Sequence, residues 1–247
     1  MCLLKNIKKG LRNMQVLNNI KVVAVSGLAR AGKDTFVAIA KKILLANGYS
    51  AIRVAFADEL KLEIERMLTA NKFQATVMTD NTEQKTLIRP LLVWWGCQRR
   101  YESNGGLYWV KKAEELINLH SSNTIHTDRL VVLVSDVRFP NEVKWVHETF
   151  GGEVIHLRKY SVHTSESPVV LPDGTASNKT FHKTYDAPPN EEEKKQDPIV
   201  REMSDYQIEW EKSPSSDILN DPILNSIVLD TLNKTKYFRH TSIGILS

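Results

Sequence analysis

Between residues 20 and 44 the chain changes hydrophobic rhythm across a single glycine-containing turn. Ile20 to Val25 is a short β-branched apolar run, which reads as a buried strand. Beyond the turn, Phe36, Ile39, Ala40, Ile43 and Leu44 recur at helical spacing. The turn itself, Gly27-Leu28-Ala29-Arg30-Ala31-Gly32-Lys33, fits the pattern G-x-x-x-x-G-K. Its glycines let the backbone curl so that successive N–H groups face a phosphate, and the following helix adds its positive end. Lys33 then reaches the outer phosphates of a nucleotide. Gly27, Ala31, Gly32, Lys33, Asp34 and Thr35 are the expected nucleotide contacts. Asp34 stands where a Ser or Thr usually ligates magnesium, so Asp34 and Thr35 are the candidate ligands of a Mg²⁺ that accompanies ATP, directly or through water.

The rest of the chain continues the alternation. Asn47-Gly48 suits a helix end, and Ala51 to Phe56 a second strand. Asp58 is placed to cap a helix bearing Leu60, Ile64 and Leu68. Residues 71–129 lack a good strand and suggest two or three helices, one marked by Val110, Ala113 and Ile117. Trp94 and Trp95 read as core residues. Leu130 to Val134 is unbroken and apolar, as a strand buried on both faces requires. Pro140 fits the first turn of the next helix, and Gly151-Gly152 leads into a strand over Glu153 to Leu157. Strands alternating with helices imply an α/β fold, a parallel sheet flanked by crossover helices.

Composition shifts near Ser161. From 161 to 216 the chain is polar, and residues 168–198 hold five prolines and no apolar periodicity. This predicts a long insertion or lid, much of it irregular. Ile218 to Asn220 reads as an edge strand and Pro222 to Leu232 as a closing helix. The expected organisation is a basic tail over 1–19, then one domain over 20–247, with 71–129 a helical acceptor-binding region.

The net charge of +4 suits a binder of phosphorylated small molecules, and the dispersed basic residues argue against a nucleic-acid partner. No apolar run reaches the length of a membrane span. Cys2 and Cys97 offer neither a disulfide framework nor metal spacing, and the seven histidines form no zinc pattern, which fits a reducing, cytoplasmic setting.

Asp136 follows the apolar strand closely, where such folds place a carboxylate at the nucleotide. With it come Arg138 and Glu142, in Asp136-Val137-Arg138-Phe139-Pro140-Asn141-Glu142. This segment, Gly32-Lys33-Asp34-Thr35, Phe56-Ala57-Asp58-Glu59-Leu60-Lys61, and the stretch from Arg89 through Gly96 to Trp109 together resemble the bacteriophage deoxynucleoside monophosphate kinases, a family of P-loop nucleotide kinases. Weaker echoes are His163 to Glu166 and Asp217 to Asp221. The chain departs from the family at Ala31, where a Ser is expected, and at Pro90, Val93 and Cys97, where Lys, Gln and Thr are expected. The last three remove hydrogen-bonding groups from the acceptor pocket.

The resemblance implies transfer of the γ-phosphoryl group of ATP to a deoxynucleoside monophosphate, in a host-cell cytoplasm if the source is viral, and leaves room for a homodimer. Lys33, Asp136 and Arg138 are its catalytic candidates. Arg89, Pro90, Val93, Gly96, Cys97, Trp109, Asp136, Arg138 and Glu142 are its acceptor-side candidates. Arg89 is the expected clamp on the acceptor's phosphate, and Arg138 the expected partner of the moving phosphoryl group. Trp109 is expected to stack on a base or wall the pocket, and Glu142 to bond base or sugar or cap its helix. Arg99, Arg100, Arg129 and Arg158 are phosphate candidates on charge alone. Competing readings are a related kinase for another small acceptor, such as dephospho-coenzyme A, and an NTP-driven DNA-binding or packaging factor.

Overall fold

The computed structural model describes residues 20–79, 81–124, 127–171, 174–185, 188, 191–241 and 243–244, without the side chains of 166–179. The tail expected over residues 1–19 lies outside the described residues. In chain order the first elements are β1 (Lys21–Ser26), α1 (Lys33–Ala46), β2 (Ser50–Val54), α2 (Phe56–Ala70), α3 (Thr82–Glu102) and α4 (Tyr108–Ser122). They are followed by β3 (Leu130–Val137), α5 (Pro140–Phe150), β4 (Glu153–Leu171), β5 (Gly174–Tyr185), α6 (Glu191–Met203), β6 (Tyr206–Glu211) and α7 (Pro222–Lys234).

The predicted α/β architecture is present. Five parallel strands run in the order β2-β3-β1-β4-β6, because the first half of β4 is bracketed, with Ile155 opposite both Val25 of β1 and Tyr206 of β6. Alternate residues of the central strands face opposite sides, as the strand period of two demands. Val22 and Ala24 of β1, with Val132 and Val134 of β3, pack under α4 and α5. Val23 and Val25, with Val131 and Leu133, pack under α1 and α7. Every one of these side chains is buried, so β1 emerges from the middle of the core and delivers the glycine loop at its carboxyl end. A third cluster, Ile64, Leu68, Val77 and Ile88, holds α2 against α3 at one side.

Local expectations fared unevenly. Pro140 opens α5, and Gly151 ends it in the left-handed region. Asp221 caps α7 by accepting from the Ile223 and Leu224 N–H groups. Asp58, the expected cap of α2, instead pairs with Arg53, and Phe56, expected to end β2, is the first residue of α2. Ile218–Asn220 is a short helical turn, not an edge strand. Trp94 is exposed, whereas Trp95 is partly buried and donates to Glu63 Oε2 at 2.9 Å.

The largest correction concerns residues 168–198, expected to be largely irregular. Among the described residues this stretch is mostly regular: β4 runs on to Leu171 and pairs antiparallel with β5, then α6 and β6 follow. Two interactions explain this. Glu209 of β6 accepts from Arg158 at 3.0 Å and from the Tyr185 hydroxyl at 2.9 Å, joining β4, β5 and β6. Tyr206-Gln207-Ile208-Glu209-Trp210-Glu211 also alternates apolar with polar, and its Trp210 is buried under the glycine loop. Trp210→Ala should therefore lower the unfolding free energy by about 3–5 kcal/mol in urea titrations. A loss under about 1 kcal/mol would place Trp210 outside the core.

Candidate functional site

The loop after β1 adopts a conformation that only its sequence permits. Gly27 has φ 131°, and a Cβ there would lie 2.2 Å from the Leu157 carbonyl oxygen. Gly32 has φ 97°, and its Cβ would meet Trp210 at 2.6 Å. Both positions combine the left-handed region with a close approach, so glycine is required at each. Trp210 also donates its indole N–H to the Ala31 carbonyl at 2.9 Å, which fixes the loop from below. The Phe36 N–H bonds the Gly32 carbonyl at 2.9 Å, closing the first turn of α1.

Lys33 is buried and folds back over the loop, donating to the Gly27 and Leu28 carbonyls at 2.8 Å each. Burial, with the Arg138 charge next, pulls its ammonium down to about 8, while Glu193, Asp136 and Asp34 act in the opposite direction. Asp34 is exposed at the helix start and lies 3.3 Å from Arg53, with Thr35 beside it in sequence and half-buried. No group of three or more His, Cys, Asp or Glu side chains suited to a metal occurs among the described residues. The oxygens of Asp34 and Thr35 nonetheless fit Mg²⁺, a hard ion that takes one or two protein oxygens and completes its shell with phosphate and water.

Next to the loop is a cavity of about 410 Å³. Seven of the nine expected acceptor-side residues line it: Arg89, Val93, Gly96 and Cys97 from α3, Trp109 from α4, and Asp136 and Arg138 from β3 and its exit. Pro90 and Glu142 do not. Pro90 is an exposed residue within α3 and is not part of the cavity lining. Glu142 is buried behind the wall, where one carboxylate oxygen accepts from Arg100 at 2.6 Å. Its other oxygen accepts from the Arg138 and Phe139 N–H groups at 2.8 and 3.1 Å, so it caps α5. Burial pushes the Glu142 carboxyl up, and Arg100 pulls it back.

Asp136 has a role that the sequence did not suggest. Its two oxygens accept from the Phe56 and Ala57 N–H groups at 2.9 and 2.8 Å, so a residue 79 or 80 positions away caps α2. Burial raises its pKa, and the two backbone N–H groups oppose that rise. Trp109 is a wall: it is buried and donates its indole N–H to the Gly96 carbonyl at 3.1 Å.

Of the arginines proposed on charge alone, only Arg100 lines the cavity, its guanidinium stacked 3.6 Å from the Phe139 ring centroid. Arg99 pairs with Glu63 between the Trp95 and Tyr108 rings. Arg158 pairs with Glu209 and stacks on Tyr185, and Arg129 lies in the turn before β3. Sequence reasoning missed Lys61, Glu192, Glu193 and Gln196 as lining residues. Lys61 lies inside a quoted motif, but the three from α6 belong to a charged stretch with no apolar periodicity to mark them.

Comparison with known proteins adds a phosphoryl-transfer enzyme. No family model matches the chain. Over 140 residues it is 28% identical to the phosphomevalonate kinase of Drosophila melanogaster, covering 56% of this chain and 67% of that protein. The similarity supports a kinase in general and leaves the acceptor open. No helix among the described residues is long and apolar enough to cross a membrane.

Lys33 gives a pH signature. Its folded pKa of about 8 lies below the ordinary 10.5, so between these values the unfolded chain holds more protons than the folded one. Stability from this group therefore rises with pH across that window, by up to roughly 3 kcal/mol. Urea unfolding of wild type and Lys33→Met from pH 7 to 10.5 should show wild type gaining on the variant. A constant difference would show an ordinary, solvated lysine.

Proposed function

We propose that the chain is an ATP-dependent kinase that phosphorylates the phosphate of a deoxynucleoside monophosphate, giving ADP and a deoxynucleoside diphosphate. The observation that carries this reading is the meeting of the glycine loop, Arg138 and a cavity bearing Arg89, Lys61 and Arg100. Those cations suit an acceptor that carries a phosphate, and the apolar wall of Phe56, Leu60, Leu92, Val93 and Trp109 suits a base. In this reading residues 20–247 form one kinase domain and 71–129 supply the acceptor side.

In the reaction an oxygen of the acceptor's phosphate attacks the γ-phosphorus of ATP in line. The new O–P bond forms as the bond to the β–γ bridging oxygen breaks, and ADP leaves with that oxygen. A phosphate acceptor is already anionic, so no general base is needed. Lys33 and Arg138 neutralise charge on the moving group, and Arg89 grips the acceptor. Asp136 is a positioning residue, because both of its oxygens hold the start of α2. Asp34 and Thr35 would hold Mg²⁺, which when bound supplies positive charge to the ATP phosphates.

A second acceptor has one observation in its favour. The relative's name specifies phosphomevalonate, also a phosphate monoester, so a small phosphorylated acid is the alternative. A panel of deoxy- and ribonucleoside monophosphates, dephospho-coenzyme A and phosphomevalonate with Mg·ATP, read as ADP release, separates these. Turnover on phosphomevalonate alone would replace the nucleotide reading. Duplex DNA binding without turnover of any acceptor would end the kinase reading.

Substitutions at three positions test the roles. Lys33→Met should nearly abolish transfer in a folded protein. Arg89→Ala should chiefly raise the acceptor KM, since that contact serves ground and transition states alike. Arg138→Ala should lower kcat by roughly 30- to 1,000-fold, and Arg138→Lys should recover little of it. Steady-state constants for both substrates, after circular dichroism, decide the matter. Wild-type kcat in Arg138→Ala would remove Arg138 from the chemistry.

A further inference from the structure

The position where the glycine loop meets Arg138 is filled by a side chain of the protein itself. Glu193, in the first turn of α6, is largely buried there. One of its carboxylate oxygens accepts from the Ala29 N–H of the loop at 3.0 Å. The other accepts from the Arg138 guanidinium, also at 3.0 Å. A loop N–H and an arginine are the partners that a phosphate would take at this place, and a carboxylate is the side chain best able to imitate one.

Two further observations show that the arrangement is closed. The crevice between the loop and α6, lined by Gly27, Leu28, Arg138 and Glu193, offers only about 10 Å³, room for about one water molecule and far too little for a phosphate. One helical turn beyond Glu193, Asp197 bonds the buried His156 of β4 at 3.0 Å, and Val200 is buried in the core, so α6 is held down along its length. Lys33, the remaining cation, meanwhile bonds carbonyls of its own loop.

We propose that Glu193 is an internal stand-in for phosphate, which keeps the loop and Arg138 occupied in the ligand-free protein and must be displaced when ATP binds. The inference rests on the kinase reading above and deepens it. Displacement breaks the Arg138–Glu193 pair and frees the guanidinium for the transferring group. ATP meets both partners of Glu193, the Ala29 N–H with its phosphates and Arg138 with its γ-phosphoryl group. Neutralising Glu193 should then tighten the binding of ATP in the absence of acceptor.

The test is calorimetric titration of the full chain with a non-hydrolysable ATP analogue, without acceptor. Glu193→Gln should bind it about tenfold more tightly than wild type, one charge-assisted contact being worth about that much. Glu193→Asp, which keeps the charge but falls a methylene short, should move in the same direction and serves if the glutamine variant misfolds. Glu191→Gln removes a charge from the same helix turn without touching the loop, and should match wild type within about twofold. Unchanged or weaker binding in both Glu193 variants overturns the stand-in while leaving the kinase reading intact. An equal gain in Glu191→Gln also overturns it, because helix charge rather than the contact would be responsible. Failure of every variant and of wild type to bind the analogue overturns the inference and the kinase reading together.

Discussion

The two hydrogen bonds from Phe56 and Ala57 to Asp136 tie the strand end beside the glycine loop to the helix that walls the cavity. β3 ends at the glycine loop, where Ser26 of β1 lies opposite Val137. α2 begins beside it and runs out to the third hydrophobic cluster, where it carries α3. A carboxylate at the end of β3 meets the unpaired N–H groups and positive end of α2, an interaction favourable in charge as well as in hydrogen bonding. The cost is an acid partly withdrawn from water, visible in its raised pKa. A polar residue at a strand end would solvate more cheaply, so the compensation has to come from α2. Without it, both α2 and the cavity wall would lose their reference point.

Glu142 repeats the device one turn later. Its carboxylate caps α5 through the Arg138 and Phe139 N–H groups and turns Arg100 towards the cavity. Arg100 then lies flat on Phe139. Replacing Glu142 would leave Arg100 and two backbone N–H groups short of a buried acceptor together, which is the expensive kind of loss. The Asp136 to Glu142 segment thus serves architecture first: a half-buried acid and a buried one fix helix starts, and Arg138 and Arg100 line the cavity.

These dependencies explain what was legible. β1, the loop, α1, β3 and the start of α5 announce themselves because their signals are local: a β-branched run, a glycine pair at fixed spacing, a helical period, a proline at a first turn. Seven of nine acceptor-side residues share one cavity because they came as motif segments, each already a local unit. The reach of Asp136 to α2 was not legible, since no local pattern encodes a cap supplied from about 80 residues away. The stretch after Ser161 misled for a different reason. Its strands are stabilised by cross-strand stacking, Tyr160 on Tyr185 and Lys183 over Tyr160, with Glu209 between cations. Polar composition conceals such pairs until the register is known. The alternation of Tyr206 to Glu211 was there to be read, and the acidic run before it outweighed that signal.

Lys33, Arg138, Glu193 and Asp136 form one electrostatic unit, and each alone would be costly where it stands. Lys33 and Arg138 repel, which contributes to the depressed lysine pKa, and Glu193 lies between the loop and Arg138 to offset them. A site built for a highly charged anion carries this problem whenever the anion is absent, because its cations are partly desolvated and face one another. Solvent reaches Arg138 but relieves little on the buried Lys33 side, where the crevice is only about 10 Å³. The remaining solution is an acid from within the chain, on an element that packs firmly against the core. α6 meets that description, with Val200 anchored in the core and Glu193 in its first turn. On the proposed reading, the same charge balance that stabilises these cations sets how tightly a nucleotide binds.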